Sequence, residues 1–292
     1  MSNLLRNIPS VTELLEKPPL QQISDSLHRS VVVNHVRGFL DQLRSQVQTS
    51  RDQIPIPEAN ELAERIAAWI LVEEVSPLRP VINATGILLH TGLGRAPLAT
   101  EAIEAMSEIA AGYASVELDL PSGKRSQRMQ AVAPLLKELT GAESAAVVNN
   151  NAGATLLTLS AVATGKEVIV SRGQLVEIGG SYRLPDVMQA SGARLKEIGT
   201  TNKTRLADYE NAIGPETGAL LQVHTSNYVI AGFSEATPLP DLVRLGQQHE
   251  LPVIDDIGSG ALIDFRRFGI QDEPTVAGSI RAGADLVLFS GD

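Results

Sequence analysis

The alternation of short apolar runs with helical patterns after residue 78 is the feature that most restricts how this chain can fold. Six runs, several rich in β-branched residues, are predicted strands: 145–149, 167–171, 194–198, 219–224, 252–256 and 285–290. The predicted helices between them are 152–163, 206–213, 239–250 and 276–282. Strands without a polar face, alternating with helices, indicate an α/β fold with a mostly parallel sheet covered by helices on both faces.

The first 78 residues show a different pattern, which predicts a small helical module. Apolar residues recur at spacings of three and four along one predicted helix: Val33, Val36, Leu40, Leu43 and Val47. That spacing is typical of one apolar stripe on an amphipathic helix. A second helix is predicted over 58–75, and the prolines of 76–80 predict a linker. We therefore expect a helical module over 1–78 and a large domain over 79–292.

The charge of the chain is unevenly distributed. The net charge is −10, yet residues 1–51 contribute +2 and leave −12 for the remainder. Arg37, Arg44 and Arg51 are seven residues apart and so share one flank of the predicted helix. That flank is either a solvated surface or an edge that follows RNA phosphates. The absence of cysteine, of a secretion signal and of an apolar run near ~18 residues predicts a cytoplasmic protein.

Polar residues follow the predicted strands, where ligands bind in open α/β sheets. The predicted strand 145–149 runs into Asn149, Asn150 and Asn151, and a helix of small residues begins at once. Backbone N–H groups at a helix start, with asparagine caps, can hold a phosphate, although the same residues also form ordinary capped turns. The sequence alone leaves both interpretations open.

A pair of carboxylates, Asp255 and Asp256, ends the run 252–256 and precedes Gly258. A carboxylate in this position can keep a pyridine nitrogen protonated and so make the ring an electron sink. Paired aspartates also suit Mg²⁺, but no triphosphate-binding loop lies nearby. The metal interpretation is therefore the weaker of the two.

Three further stretches place polar groups beside predicted strands or on a glycine-rich loop. The hydroxyl, amide and imidazole groups of residues 224–228 could contact a ligand oxygen, and Ser290 ends the last predicted strand. The loop 90–97 contains Gly-x-Gly without the third glycine of a dinucleotide site. Arg95 on that loop is better interpreted as an anion clamp, because a guanidinium binds carboxylate or phosphate with two hydrogen bonds.

Taken together, these segments resemble the selenocysteine synthase family within the fold-type-I pyridoxal-phosphate enzymes. The matching stretches are RPVINATGILLHTGLGRAPL, VVNNNAGATLL, GKEVIVSRGQLVEIGGSYRLPDVM, EIGTTNKT, VHTSNYVIAGF, PVIDDIGSGALID and LVLFSGD. They cover residues 79–292 almost without interruption, and the helical start, with IPSVTELLE, is similar to the family's N-terminal module. Each motif alone is weak, but seven in order are specific.

The resemblance implies pyridoxal 5'-phosphate as the cofactor and assigns roles to individual residues. Asp256, rather than Asp255, is expected opposite the pyridine nitrogen. The cofactor phosphate and ring are expected to contact Asn150, Asn151, Ala152, His224, Ser226, Asn227 and Ser290. Arg95 is expected to bind the selenium-donor anion or an intermediate. The N-terminal helices are expected to bind tRNA through Arg29, Arg37 and Arg44.

The resemblance also implies a reaction and its partners. We expect seryl-tRNA(Sec) to lose its serine hydroxyl by β-elimination and to gain selenium from selenophosphate, in a homodecamer that does not bind membranes. The family's Schiff-base lysine would come directly after Asp292, so we expect the chain to be truncated before it. Two alternatives remain: an inactive fragment that binds tRNA or oligomerises, and another fold-type-I enzyme that acts on free amino acids.

Overall fold

The computed structural model describes residues 7–49, 55–74, 78–180, 182–258, 260–271 and 273–292. The chain divides into two compact units, Met1–Ala84 and Thr85–Asp292. Arg51, the third arginine of the predicted basic flank, and part of the predicted linker lie outside the described residues. No helix among the described residues is long and apolar enough to cross a membrane.

The described residues of the first unit form four helices around one apolar core. They are α1 (Val11–Leu15), α2 (Pro18–Ser26), α3 (Arg29–Thr49) and α4 (Ala59–Glu73). The predicted stripe is correct along most of α3, since Val36, Leu40 and Leu43 are buried. At its start the stripe is shifted, because Val32 is buried and Val33 only half-buried. Leu62, Ile66 and Ile70 of α4 are buried in the same core cluster.

The second unit contains a five-stranded parallel sheet. Its strands are β3 (Glu167–Ser171), β6 (Arg194–Ile198), β7 (Thr217–Val223), β8 (Val253–Gly258) and β9 (Leu286–Phe289). Their order across the sheet is β6-β3-β7-β8-β9, and every neighbouring pair is parallel. The remaining strands form two hairpins, β1 (Leu118–Asp119) with β2 (Lys124–Arg125) and β4 (Glu177–Ile178) with β5 (Tyr182–Arg183).

Helices cover both faces of the sheet, as predicted. The helices of this unit are α5 (Thr100–Ala110), α6 (Ala133–Thr140), α7 (Asn151–Ala163), α8 (Leu184–Ser191), α9 (Leu206–Ala212), α10 (Leu239–Gln248) and α11 (Val276–Arg281). One core cluster joins α7 and α8 to Val168, Val170 and Leu221 of the sheet. A second cluster joins α9 and α10 to Ile169 and Leu220, the alternate residues of the same strands.

The prediction of a strand over 145–149 is wrong. These residues pair with none of the described strands, and Val147 remains 52% exposed. An apolar run forms a strand only where a neighbouring strand satisfies its backbone N–H and C=O groups. The composition of the run is suited to a strand, but the described part of the chain supplies no partner for it.

Candidate functional site

The candidate site lies at the carboxyl ends of the parallel strands, beside the start of α7. Asp256 of β8 is 3% exposed and Asp255 is 5% exposed. Successive strand residues point to opposite faces of a sheet. Val253 belongs to the cluster on the α9–α10 face and Ile254 to the cluster on the α7–α8 face. Asp256 therefore points towards α7, whereas Asp255 points to the other face.

Asp256 accepts three hydrogen bonds, which occupy both of its oxygens. Asn151 donates from Nδ2 to Oδ1 over 2.7 Å, and the backbone N–H of Gly258 reaches the same oxygen over 3.2 Å. The hydroxyl of Thr155 lies 3.0 Å from Oδ2. These contacts fix the plane of the carboxyl group, so its orientation is set before any ligand arrives.

Two opposing effects act on the pKa of Asp256. Burial raises the pKa, because the protein interior disfavours the charged form. The hydrogen bonds from Asn151, Thr155 and Gly258 lower it, because they favour the carboxylate. No lysine or arginine among the described residues forms an ion pair with Asp256. A cationic group of a ligand, such as a protonated pyridine nitrogen, would supply the missing positive charge.

The three-asparagine turn supports the site from the helix side. Asn150 caps α7, because its Oδ1 accepts the N–H of Gly153 over 2.8 Å. Asn151 directs its side-chain amide to Asp256, and its Oδ1 is buried without a hydrogen-bond partner among the described residues. Ala152 lies half-buried in the first turn of α7. The turn and the carboxylate therefore belong to one site.

Three more of the predicted residues come together around Gly258, whose φ is 63°. The backbone N–H of His224 donates to the carbonyl oxygen of Asp256 over 2.8 Å. The backbone N–H of Ser290 donates to the carbonyl oxygen of Gly258 over 2.6 Å. The hydroxyl oxygen of Ser226 would lie 3.6 Å from a Cβ added at Gly258. The ends of β7, β8 and β9 thus place three hydroxyl or imidazole residues at one edge.

Other predicted residues direct their side chains elsewhere. Asn227 donates from Nδ2 to the carbonyl oxygen of Glu177 over 2.9 Å. The imidazole of His224 lies 3.8 Å from the carboxylate of Glu273, and burial lowers the pKa of His224 despite that charge. Arg95 forms a 2.8 Å ion pair with Asp292 and has a φ of 63°, a conformation that only a few non-glycine residues adopt.

The three arginines predicted to bind tRNA are exposed on α3 of the first unit. Arg29 begins the helix, and Arg37 and Arg44 follow on its solvent side. Arg44 forms a 2.7 Å ion pair with Asp41. Arg37 and Arg44 remain accessible to an RNA phosphate.

Sequence reasoning missed two side chains of the site, Thr155 and Tyr182. Thr155 is four residues after Asn151 on α7, so helical spacing places the two side chains on one face. That spacing could have identified Thr155 as a neighbour of Asn151 from the sequence. Tyr182 lies close enough for the charge of Asp256 to contribute to raising the pKa of its phenol. Tyr182 reaches the site through the β4–β5 hairpin, and no local pattern in the sequence predicts that contact.

A comparison with solved structures agrees with the α/β class of fold. The solved structure of D-glucosaminate-6-phosphate ammonia-lyase resembles this chain with a TM-score of 0.54 and 24% identity. The similarity covers 69% of this chain and 52% of that one. The parallel sheet, with polar groups at its strand ends, is that of an α/β protein whose ligand site lies at the carboxyl edge.

The family of the chain follows from its sequence. The sequence model of the family described as "L-seryl-tRNA selenium transferase" matches residues 81–292, and that of "Selenocysteine synthase N terminal" matches residues 5–44. The chain belongs to the L-seryl-tRNA selenium transferase family. This membership supports pyridoxal 5'-phosphate as the cofactor.

Curated relatives share this family name. The L-seryl-tRNA(Sec) selenium transferase of Carboxydothermus hydrogenoformans is 51% identical over all of this chain and 62% of its own length. That of Moorella thermoacetica is 50% identical over 99% of this chain and 61% of its own length. That of Geobacter sulfurreducens is 47% identical, with 99% and 63% covered. The chain thus spans about three fifths of the length of these relatives.

Proposed function

We propose that this chain provides the cofactor site and the N-terminal module of an enzyme that converts seryl-tRNA(Sec) to selenocysteyl-tRNA(Sec). The observation that supports the proposal most strongly is Asp256, a buried carboxylate held by three donors with no basic partner among the described residues. Family membership and the names of the curated relatives supply the substrate.

Pyridoxal 5'-phosphate fits the groups present. Asp256 would face the pyridine nitrogen, and the first turn of α7, at Asn150, Asn151 and Ala152, would face the phosphate. When bound, the cofactor withdraws electrons from the bonds at the substrate's Cα. The residues of the chain supply the rest: Asp256 holds a proton on the ring nitrogen, and Ser290 would add a hydroxyl beside the phosphate. His224, Ser226 and Asn227 would line the ring side.

The overall reaction exchanges one group on the serine β-carbon. The seryl group loses its Cα proton and its β-hydroxyl as water. Selenium from selenophosphate then adds to the β-carbon as a proton returns to Cα, and water takes the phosphoryl group, which leaves as phosphate. Arg95 would bind the selenium-donor anion, in exchange for its ion pair with Asp292. Arg29, Arg37 and Arg44 would bind tRNA phosphates, in a cytoplasmic homodecamer.

The test measures formation of selenocysteyl-tRNA from seryl-tRNA(Sec) and selenophosphate. The protein assayed is this chain followed, after Asp292, by the corresponding C-terminal part of the Carboxydothermus relative. We expect turnover in this chimera and a loss of at least about 100-fold on Asp256→Ala, because the electron sink loses its counter-charge. Asp241→Ala removes an aspartate from α10 and should leave turnover unchanged.

The same preparation separates the competing functions. Filter binding with seryl-tRNA and free serine in parallel should show retention of the tRNA only. Turnover of free serine would instead favour an enzyme of amino acids. Retention of tRNA without turnover, in a chimera that binds the cofactor, would favour a non-catalytic binding protein. Undiminished turnover in Asp256→Ala would contradict the role of the carboxylate.

A further inference from the structure

The hydroxyl of Thr155 is a buried polar group to which the proposed reaction assigns no role. Thr155 is 0% exposed on α7. Its Oγ1 lies 3.0 Å from Oδ2 of Asp256 and 2.9 Å from the backbone carbonyl oxygen of Asn151. A hydroxyl has one hydrogen to donate, so it can satisfy only one of these two acceptors at a time.

The ionisation of Asp256 decides which acceptor receives that hydrogen. When Asp256 is ionised, Thr155 donates to the carboxylate, because hydrogen bonds to charged groups are the stronger ones. When Asp256 is protonated, the acid can donate to Oγ1, and Thr155 can donate to the carbonyl of Asn151. The hydroxyl orientation is therefore coupled to the charge of Asp256.

The phenol of Tyr182 is a further titratable group on which the charge of Asp256 acts. Burial, reinforced by the charge of Asp256, raises the pKa of Tyr182 to about 12, and a hydrogen bond with Thr155 opposes the shift. The phenol therefore stays protonated at neutral pH.

We propose that Thr155 is a positioning residue that keeps Asp256 ionised and oriented for a cationic ring nitrogen. The proposal rests on the proposed cofactor site and adds to it the groups that set its charge. Asn151 and Gly258 both bind Oδ1, so Thr155 is the donor recorded at Oδ2 among the described residues. Without it, half of the buried carboxylate would lose its hydrogen bond.

A purely structural role is the competing explanation. Threonine hydroxyls inside helices often bond to the carbonyl four residues earlier, and the contact with Asn151 has that form. Such a bond would stabilise or bend α7 without affecting the charge of Asp256. The two roles therefore differ in what happens to the carboxyl group when the hydroxyl is removed.

The experiment compares Thr155→Val, which removes the hydroxyl at nearly constant shape, with Thr155→Ser, which keeps it. Thr158→Val, on the same helix, is the matched control. The carboxyl ¹³C signal of Asp256, assigned through Asp256→Asn, is titrated in each ligand-free protein. We expect Thr155→Val to raise the pKa of Asp256, and Thr155→Ser and Thr158→Val to leave it near the wild-type value. An unchanged titration in Thr155→Val would overturn the proposal.

A second readout uses the chimera with the C-terminal part of the Carboxydothermus relative, and measures binding of pyridoxal 5'-phosphate and of its analogue with CH in place of the ring nitrogen. We expect Thr155→Val to weaken binding of the cofactor about tenfold and to leave the analogue unaffected, since only the nitrogen senses Asp256. Equal weakening of both would indicate a structural role and overturn the proposal. If wild-type protein binds neither, the cofactor assignment fails, and the carboxyl titration still decides the role of Thr155.

Discussion

Helices α5 and α10 are both amphipathic and of similar length, yet they differ completely in burial. Leu242, Val243 and Leu245 of α10 are at most 4% exposed against the sheet. Ile103, Met106 and Ile109 of α5 are 50 to 61% exposed, and α5 has no buried residue. An apolar stripe therefore predicts a helix but does not show that its partner lies in the same part of the chain.

The difference extends beyond the two helices. From residue 85 to 148, all of which the structure describes, Thr140 is the only buried residue. The region after Asn151 contains both core clusters of the second unit and the whole parallel sheet. The candidate site around Asp256 belongs to the region after Asn151. The core clusters of that region therefore set the geometry of the site.

The difference in burial between α5 and α10 is tested most directly by removing one apolar side chain from each helix. Leu242→Ala on α10 should lower the free energy of unfolding by about 3 kcal/mol, because it leaves a cavity in a packed core. Ile103→Ala on α5 should lower it by less than about 0.5 kcal/mol, because the side chain is already solvated. Urea denaturation of both variants measures the difference. Equal losses would show that α5 is buried in the folded protein.

Close packing of α10 on the sheet gives a second prediction. A Cβ at Gly246 would lie 2.5 Å from Cγ2 of Val253 and 2.8 Å from the carbonyl oxygen of Leu251. Gly246→Ala should therefore lower the free energy of unfolding by about 2 kcal/mol through overpacking. Gly112→Ala, where nothing lies within 4 Å, is the control and should cost nothing measurable. A tolerated alanine at position 246 would mean that α10 can move away from β8.

A third prediction concerns Asp255, on the α10 face of β8. Burial raises the pKa of Asp255 to about 6, although a hydrogen bond with Ser279 opposes the shift. The pKa of Asp255 is higher in the folded protein than in the unfolded chain. The contribution of Asp255 to stability is therefore fully present below the unfolded-state pKa and is lost as the pH rises through about 6. Asp255→Asn should therefore match wild type near pH 4 and exceed its unfolding free energy by about 1–2 kcal/mol near pH 8.

Thermal or urea denaturation across that pH range checks the prediction. Gln222 is the register partner of Asp255 on β7, and its Oε1 is buried without a hydrogen-bond partner among the described residues. An asparagine at 255 could donate to that oxygen. A stability difference independent of pH would show that Asp255 titrates normally in the folded protein.

How much the sequence predicts depends on whether the determining interactions are local. β3 has the predicted bounds, because its apolar composition and its flanking turns lie within a few residues. β6 has the predicted bounds as well, although three of its five residues are charged. The run 145–149 has similar composition but forms no strand, because pairing depends on a neighbour that the pattern does not reveal. The fold class was therefore predictable from the sequence, whereas the lack of a pairing partner for the run 145–149 was not.

The same distinction holds at the candidate site. Asp256 could be selected from its place at a strand end and from the family resemblance. The contact between Asn151 and Asp256 joins residues 105 positions apart, so it could not be read from either motif alone. The expected phosphate role of Asn151 stays a prediction, while its side chain binds the carboxylate. Tyr182 comes from a hairpin whose pairing only the folded structure defines.

The central claim, that Asp256 faces a protonated pyridine nitrogen, can be tested directly by ¹⁵N NMR of ring-labelled pyridoxal 5'-phosphate bound to the protein. The account predicts a protonated ring nitrogen at neutral pH in the wild type and an unprotonated one in Asp256→Asn. A bound cofactor whose nitrogen is unprotonated in the wild type, or whose ¹⁵N shift is the same in both proteins, would contradict it.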